Sequence, residues 1–230
     1  SMPHIPLYVP DEIRDPNPKN AYINTIEHID SEVGRLLVAL DELNLAKNTY
    51  VIYTTDNGPW LSFLHHGGSA GSLRDGKGTT FEGGQRVPCV MRGPGIPAGT
   101  VCNELMGTID LLPTFASITG KALPEGRKID GVDASGLLTG KSKSTRNEFV
   151  HYTSRGEVEG IRQGKWKLLT KKARRKGQSD QVLLFDLEKD LGESQNLASD
   201  FPRVVKKLKA RMLELDDEIG RNARKPWFKE

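Results

Sequence analysis

Apolar residues recur at helical spacing over residues 20–45: Ile23, Ile26, Ile29, Val33, Leu36, Leu37, Leu40 and Leu43 form one stripe, and Glu27, Asp30, Glu32, Arg35 and Asp41 lie off it. The spacing predicts one long helix whose stripe is core. A short link, Ala46-Lys47-Asn48, then leads into Thr49-Tyr50-Val51-Ile52-Tyr53-Thr54-Thr55, where β-branched and aromatic residues run together. Such a run reads as a strand buried on both faces of a parallel sheet, and helix, link and strand together as a βα-type unit. A second strand is expected at 87–91. A short helix is expected at 110–119, with Leu111, Leu112, Phe115 and Ile118 inward and Pro113 in its first turn.

From about residue 149 the pattern changes. Lys165-Trp166-Lys167-Leu168 alternates like an edge strand, Val182-Leu183-Leu184-Phe185-Asp186-Leu187 like its partner, and residues 171–180 read as the connecting loop. A terminal helix over 201–219 carries Val204, Val205, Leu208, Met212 and Leu215 on one face, which should cover that small sheet. Charge shifts at the same place: residues 1–150 hold 14 Lys and Arg against 17 Asp and Glu, and residues 151–230 hold 19 against 13. We therefore expect two parts, 1–148 and 149–230. The basic run at 165–176 is compatible with a solvated hairpin or with a bound polyanion, and the hairpin is favoured over a sulfated polysaccharide and over nucleic acid, which we do not expect as a partner.

The 230 residues suffice for a substantial core, and 36% hydrophobic content is low enough to suggest a surface that meets partner structure or water. No stretch approaches the roughly 20 apolar residues of a membrane span, and no signal-peptide pattern opens the sequence. Of the two cysteines, Cys89 lies in the apolar segment at 87–91 and is expected to pack as a small buried hydrophobe rather than to pair with Cys102.

The candidate chemistry starts where the first strand ends, at Asp56-Asn57-Gly58-Pro59. Open α/β sheets bind ligands beyond the carboxyl ends of their strands. A carboxylate and an amide carbonyl side by side there are ligand types that calcium or magnesium accepts. All four residues also favour a plain turn, so the tetrapeptide alone leaves both readings open. Downstream, residues 65–88 hold His65 and His66, then a glycine-dense loop with Arg74, Lys77 and Glu82. Glycines let backbone approach an anion, and the two cations suit a tetrahedral oxyanion such as sulfate or phosphate. His4, in Pro3-His4-Ile5-Pro6, can donate to a bound anion or a leaving oxygen, or it is a terminal histidine without a role.

In these motifs the sequence resembles the sulfatase family, the formylglycine-dependent arylsulfatase-like enzymes of the alkaline-phosphatase superfamily. The resemblance rests on the segment from Tyr53 to Pro59, on the loop from Gly68 to Gly84, on Arg86-Val87-Pro88 with Arg92-Gly93-Pro94-Gly95, on Asp110-Leu111-Leu112-Pro113-Thr114, and on the stretch from Leu184 to Asp190 with Glu193 and Asn196-Leu197. It covers nearly the whole chain. The fold it implies is α/β: part of an alkaline-phosphatase-like α/β/α sandwich, followed by a small C-terminal α+β subdomain with an antiparallel sheet. The activity it implies is hydrolysis of sulfate esters of carbohydrates or aryl compounds. It places a calcium ion, in preference to magnesium, on Asp56 and Asn57. Lys77 and His4 become sulfate-contacting catalytic residues. From the residues themselves Arg74 and His66 are further candidate substrate contacts, and His66 reads also as a solvent-facing loop histidine. A periplasmic, secreted or lysosomal-type location is expected from the same family.

One departure stands out. The family's formylglycine arises from the Cys or Ser of a Cys/Ser-x-Pro-x-Arg motif, and neither Cys89-Val90-Met91 nor Cys102-Asn103-Glu104 has the proline, while Ser1-Met2-Pro3-His4-Ile5 lacks the arginine. No nucleophile is assigned. The chain is therefore expected to be the C-terminal portion of a sulfatase that needs its N-terminal half as partner and is inactive alone. Two rivals are a metal-dependent phosphatase or phosphodiesterase of the same superfamily and a polyanion-binding module without catalysis.

Overall fold

The computed structural model describes residues 3–143, 146–173, 177 and 179–224. Ser1 and Met2, and Arg174, Arg175 and Lys176 of the basic run, lie outside the described residues. The chain forms two compact units, Ser1–Pro94 and Gly95–Glu230, and each is described by itself.

In the first unit the expected long helix is α1, Ala21–Glu42. The chain enters it through a short 3-10 turn, Pro18–Asn20, where the Asn17 side chain accepts from the Lys19 N–H at 3.1 Å. It leaves at Asn44, whose φ of 56° turns the backbone left-handed while the Leu45 N–H reaches back to the Leu40 carbonyl at 2.9 Å. Only Thr25 of α1 is buried; the apolar stripe is half covered at Ile26, Ile29, Val33, Leu37 and Leu40 and exposed at Ile23, Leu36 and Leu43. The stripe is thus a partial core rather than the full one its periodicity predicts.

The strand after the link is β1, Val51–Thr54, and its partner is β2, Cys89–Arg92. They run antiparallel, with Val51 opposite Arg92 and Thr54 opposite Cys89. This corrects the expectation of a strand buried on both faces of a parallel sheet: among the described residues β1 has one antiparallel neighbour and is only half-buried. Apolar run length reports burial tendency and carries no information on strand direction, which the chain reversal between residues 55 and 88 decides. Cys89 is exposed, not packed as a buried hydrophobe, because β2 presents it on an uncovered face; it and Cys102 are both free. Asp41 of α1 pairs with Arg92 of β2 at 2.6 Å, and the Tyr50 hydroxyl donates to the Pro94 carbonyl at 2.8 Å. The short helix α2, Glu82–Gln85, closes the glycine-rich loop.

In the second unit α3, Leu111–Ile118, follows a 3-10 turn at Thr108–Asp110. Its inward residues are Pro113 and Thr114, whereas Leu112, expected inside, is 54% exposed. The phase is set by Asp110, which is fully buried and accepts from the Gly107 and Val132 N–H groups at 2.8 Å and from Arg146 Nε at 2.8 Å. Burial alone raises the Asp110 carboxyl, but the Arg146 hydrogen bond and the two backbone donors outweigh it and hold it below the usual carboxylate range. Thr114 Oγ1 accepts from the Ala134 N–H at 2.9 Å just before α4, Ser135–Leu138.

The expected small sheet has four antiparallel strands in chain order: β3, Glu148–Tyr152; β4, Val158–Gln163; β5, Trp166–Lys171; and β6, Gln181–Asp186. β5, read as an edge strand, lies between β4 and β6. The terminal helix α5, Pro202–Asn222, covers one face as its stripe predicted: Leu208 and Met212 close over Ile161, Leu168 and Leu184, with Val204, Val205 and Leu215 beside them. The other face is polar inside. Lys167 and Glu193 are fully buried and paired at 3.0 Å, and His151 is 95% buried with no hydrogen-bond partner on either ring nitrogen. The basic run is therefore largely engaged where it is described: Lys165 pairs with Asp186 at 2.7 Å, Lys167 with Glu193, and Lys171 with Glu159 at 3.0 Å. Among the described residues no helix is long and apolar enough to cross a membrane.

Burial, then the positive charges of Lys167 and Arg162, push the His151 imidazole down from 6.5 to about 3. Between those values the unfolded chain binds a proton that the folded chain refuses, so stability present above the higher value is lost as pH falls toward the lower. We predict that denaturation midpoints fall steadily on acidification through this window and that His151→Leu flattens the decline; an unchanged acid slope in that variant would contradict it. Lys167→Met, which takes the ammonium away from the buried Glu193 carboxylate, should lower stability by about 3–5 kcal/mol in urea unfolding, with partial recovery in the Lys167→Met, Glu193→Gln double variant.

Candidate functional site

Strand β1 delivers its carboxyl end to Thr55-Asp56-Asn57. Asp56 is exposed, with the Thr55 hydroxyl at 3.4 Å from its carboxylate, and Asn57 is half-buried. The next residues are tied to the glycine-rich loop by backbone. The Gly58 N–H donates to the Gly84 carbonyl at 3.3 Å, and a Cβ on Gly58 would lie 1.8 Å from the Gly83 carbonyl oxygen, so only glycine fits. The Pro59 carbonyl accepts from the Lys77 N–H at 2.8 Å. At the residue before that lysine, a Cβ on Gly76 would come within 2.4 Å of the same carbonyl.

The loop itself is a closed unit. Asp75 at φ 61° and Gly78 at φ 85° reverse the chain on either side of Lys77. The Gly83 N–H returns to the Arg74 carbonyl at 2.9 Å, and the Thr79 hydroxyl donates to the Gly76 carbonyl at 2.9 Å. Thr80, Phe81 and Glu82 are buried beneath it. The Arg74 guanidinium lies 4.1 Å above the Phe81 ring while the residue as a whole stays exposed.

Trp60, which the motif reading passed over, is where the remaining candidates meet. The Lys77 ammonium sits 4.9 Å from the centre of its ring, and the His4 imidazole is 6.0 Å from it, inclined at 52°. His4 Nδ1 donates to the Ile5 carbonyl at 2.8 Å, which leaves Nε2 as the nitrogen available to a ligand. The only sequence signal for Trp60 is its position directly after Pro59.

The structure thus brings Asp56, Asn57, Lys77 and His4 into one locality through the Pro59–Lys77 bond and the Trp60 ring. It does not bring His66 there by its Nε2, which donates to the Pro18 carbonyl at 2.8 Å before α1; His65 is exposed. Asp56 and Asn57 offer two adjacent hard oxygen donors, which fits part of a calcium shell of about six to eight oxygens. Among the described residues no group of three or more His, Cys, Asp or Glu side chains converges to hold a metal ion.

Comparison with known proteins gives the family. Residues 1–121 match the family model for Sulfatase, and residues 75–218 match that for the C-terminal part of N-sulphoglucosamine sulphohydrolase. The chain is 36% identical to arylsulfatase A of Homo sapiens over 230 residues, covering 90% of this chain and 45% of that protein. It is 38% identical to N-acetylgalactosamine-6-sulfatase of Canis lupus familiaris over 150 residues, covering 64% of this chain and 29% of that one. Among solved structures, one from work on glycosaminoglycan metabolism by Bacteroides thetaiotaomicron superposes with a TM-score of 0.82 at 25% identity, over 93% of this chain and 48% of that one. The Ps i-CgsB complex with k-i-k-neocarrahexaose gives 0.79 at 27% identity, over 99% and 50%. The α/β fold is that of these sulfatases, and the chain spans about half the length of the curated relatives it matches.

The close backbone contact under Lys77 has a direct test. Gly76→Ala should lower stability by about 1–3 kcal/mol, as overpacking does, and should open residues 72–84 to limited proteolysis. Wild-type stability together with wild-type protease resistance in that variant would refute the contact.

Proposed function

We propose that this chain, which belongs to the sulfatase family, is the C-terminal half of a sulfuric ester hydrolase. The observation that carries the reading is the 2.8 Å bond from the Lys77 N–H to the Pro59 carbonyl, because it joins a strand-end Asp-Asn pair to a cationic loop as one piece. The substrate class is a sulfated carbohydrate, supported by a relative named for N-acetylgalactosamine 6-sulfate chemistry and a structural neighbour holding a neocarrahexaose. An aryl sulfate ester is the second reading, supported by the arylsulfatase A relative.

In this proposal the N-terminal half brings a formylglycine, which together with calcium supplies the nucleophile and the Lewis acid for attack at sulfur. Asp56 and Asn57 provide two of the oxygen ligands that orient the ion. Lys77 sets its ammonium against the sulfate oxygens, where negative charge grows as the S–O bond to the leaving group lengthens. His4, with Nδ1 committed to the Ile5 carbonyl, has Nε2 free to hold a proton for the leaving oxygen or to donate to the bound anion. Arg74 stands at the edge of the same loop as a further substrate contact. His66 is assigned to holding the loop before α1. Residues 149–230 serve as a C-terminal subdomain, and the location is periplasmic, secreted or lysosomal as for relatives of this type. A polyanion-binding module is disfavoured because Lys165, Lys167 and Lys171 already carry carboxylate partners.

The test joins chemistry to mass. Peptide mapping of the source protein should find an upstream Cys/Ser-x-Pro-x-Arg peptide whose cysteine or serine has become formylglycine. The full protein should hydrolyse a sulfated oligosaccharide or 4-nitrophenyl sulfate, and Lys77→Met should reduce the rate by about 100- to 1,000-fold, the range for losing one preorganised donor. Asp56→Asn should weaken calcium binding in titration calorimetry. Sulfatase turnover by the isolated chain above a Lys77→Ala control, or full activity in Lys77→Met, would overturn the reading.

A further inference from the structure

Lys77 presents a geometric problem that its backbone anchor does not solve. The 2.8 Å bond to Pro59 fixes the main chain, but the ammonium sits at the end of a four-carbon stem with free rotation. Among the described residues no carboxylate pairs with it. What it meets is the Trp60 ring at 4.9 Å. An aromatic face attracts a cation through its quadrupole and leaves the full charge available, whereas a carboxylate at the same place would neutralise the charge and compete with an anionic ligand.

The main chain of Trp60 is fixed on both sides: its backbone N–H donates to the Gly67 carbonyl at 2.9 Å and its carbonyl accepts from the Phe63 N–H at 3.0 Å. The indole itself meets the Phe63 ring nearly edge-on at 4.5 Å and 69°. Yet Trp60 and Phe63 are each 39% exposed, which is unlike tryptophan used as core filling and leaves the platform within reach of a ligand. The His4 imidazole lies over the same residue at 6.0 Å.

We infer that Trp60 is the positioning residue of the sulfate site: one rigid indole holds the Lys77 ammonium and the His4 imidazole at the mouth of the loop without neutralising either. This rests on the assignment of Lys77 and His4 to sulfate made above. Trp60 acts through those two groups and takes no part in bond making. Its contribution is that the cation waits in place, so ordering of the lysine side chain is largely complete before the anion arrives.

The test uses the full-length enzyme and reads KM, kcat and inhibition by inorganic sulfate. Trp60→Leu should raise KM and the sulfate inhibition constant by about five- to tenfold with a smaller fall in kcat, and Trp60→Phe, which keeps an aromatic face, should recover most of that. On a Lys77→Met background the Trp60→Leu effect should shrink at least threefold. An undiminished effect there, or no effect on the wild type, would overturn the role of Trp60. If Lys77→Met alone leaves sulfate inhibition unchanged, the sulfate-site assignment fails and the Trp60 role fails with it, whereas a defective Lys77→Met with additive Trp60→Leu sinks the Trp60 role only. Should Trp60→Leu not fold, site-specific fluorination of Trp60 keeps its shape while draining the ring of electron density; a stepwise rise in the sulfate inhibition constant supports the inference, and a flat series refutes it.

Discussion

The hydrogen bond from the Lys77 N–H to the Pro59 carbonyl is the contact on which the candidate site depends. It can form only because glycine stands at 58 and 76, where any side chain would meet a carbonyl oxygen at covalent distance or little more. Two segments that are unremarkable apart, a strand-end turn and a basic loop, thereby share one backbone. Asp56-Asn57 and Lys77 are thereby joined through main chain. A site whose parts come from different elements usually needs side chains to cross-link it; here the main chain does so, and the side chains stay free for chemistry.

The amphipathic elements were legible in the sequence because their information is local. α1 and α5 lie within a few residues of where their stripes place them, and Leu208 and Met212 cover the small sheet as their spacing demands. Strand direction was not legible, since the apolar run at 49–55 is equally consistent with parallel and antiparallel neighbours. Burial of Cys89 and Leu112 failed for a related reason. An apolar segment says that one face is covered, and a distant group decides which; for α3 that group is the buried Asp110–Arg146 pair.

The site divides in the same way. Asp56, Asn57 and Lys77 stand out as candidates from motifs, because each motif is a short run with its own turn chemistry. No motif singles out Trp60, whose neighbours are distant in sequence: a lysine 17 positions later and a histidine 56 positions earlier. His66 shows the converse, a residue with the right chemistry in the right loop whose Nε2 is occupied by the Pro18 carbonyl. Charge counting had a similar blind spot. The basic run left a bound polyanion as a second reading beside the favoured hairpin, and three of its lysines face carboxylates.

The two faces of the four-stranded sheet differ in kind, one apolar beneath α5 and one carrying the Lys167–Glu193 pair. Because side chains alternate along a strand, sliding β5 by one residue would push Lys167 under α5 and drag Leu168 into the ionic layer. Both errors are severe, and they occur together. The buried pair therefore works as an alignment pin: whatever it adds to net stability, it removes the neighbouring registers from competition and leaves β5 one way to dock between β4 and β6.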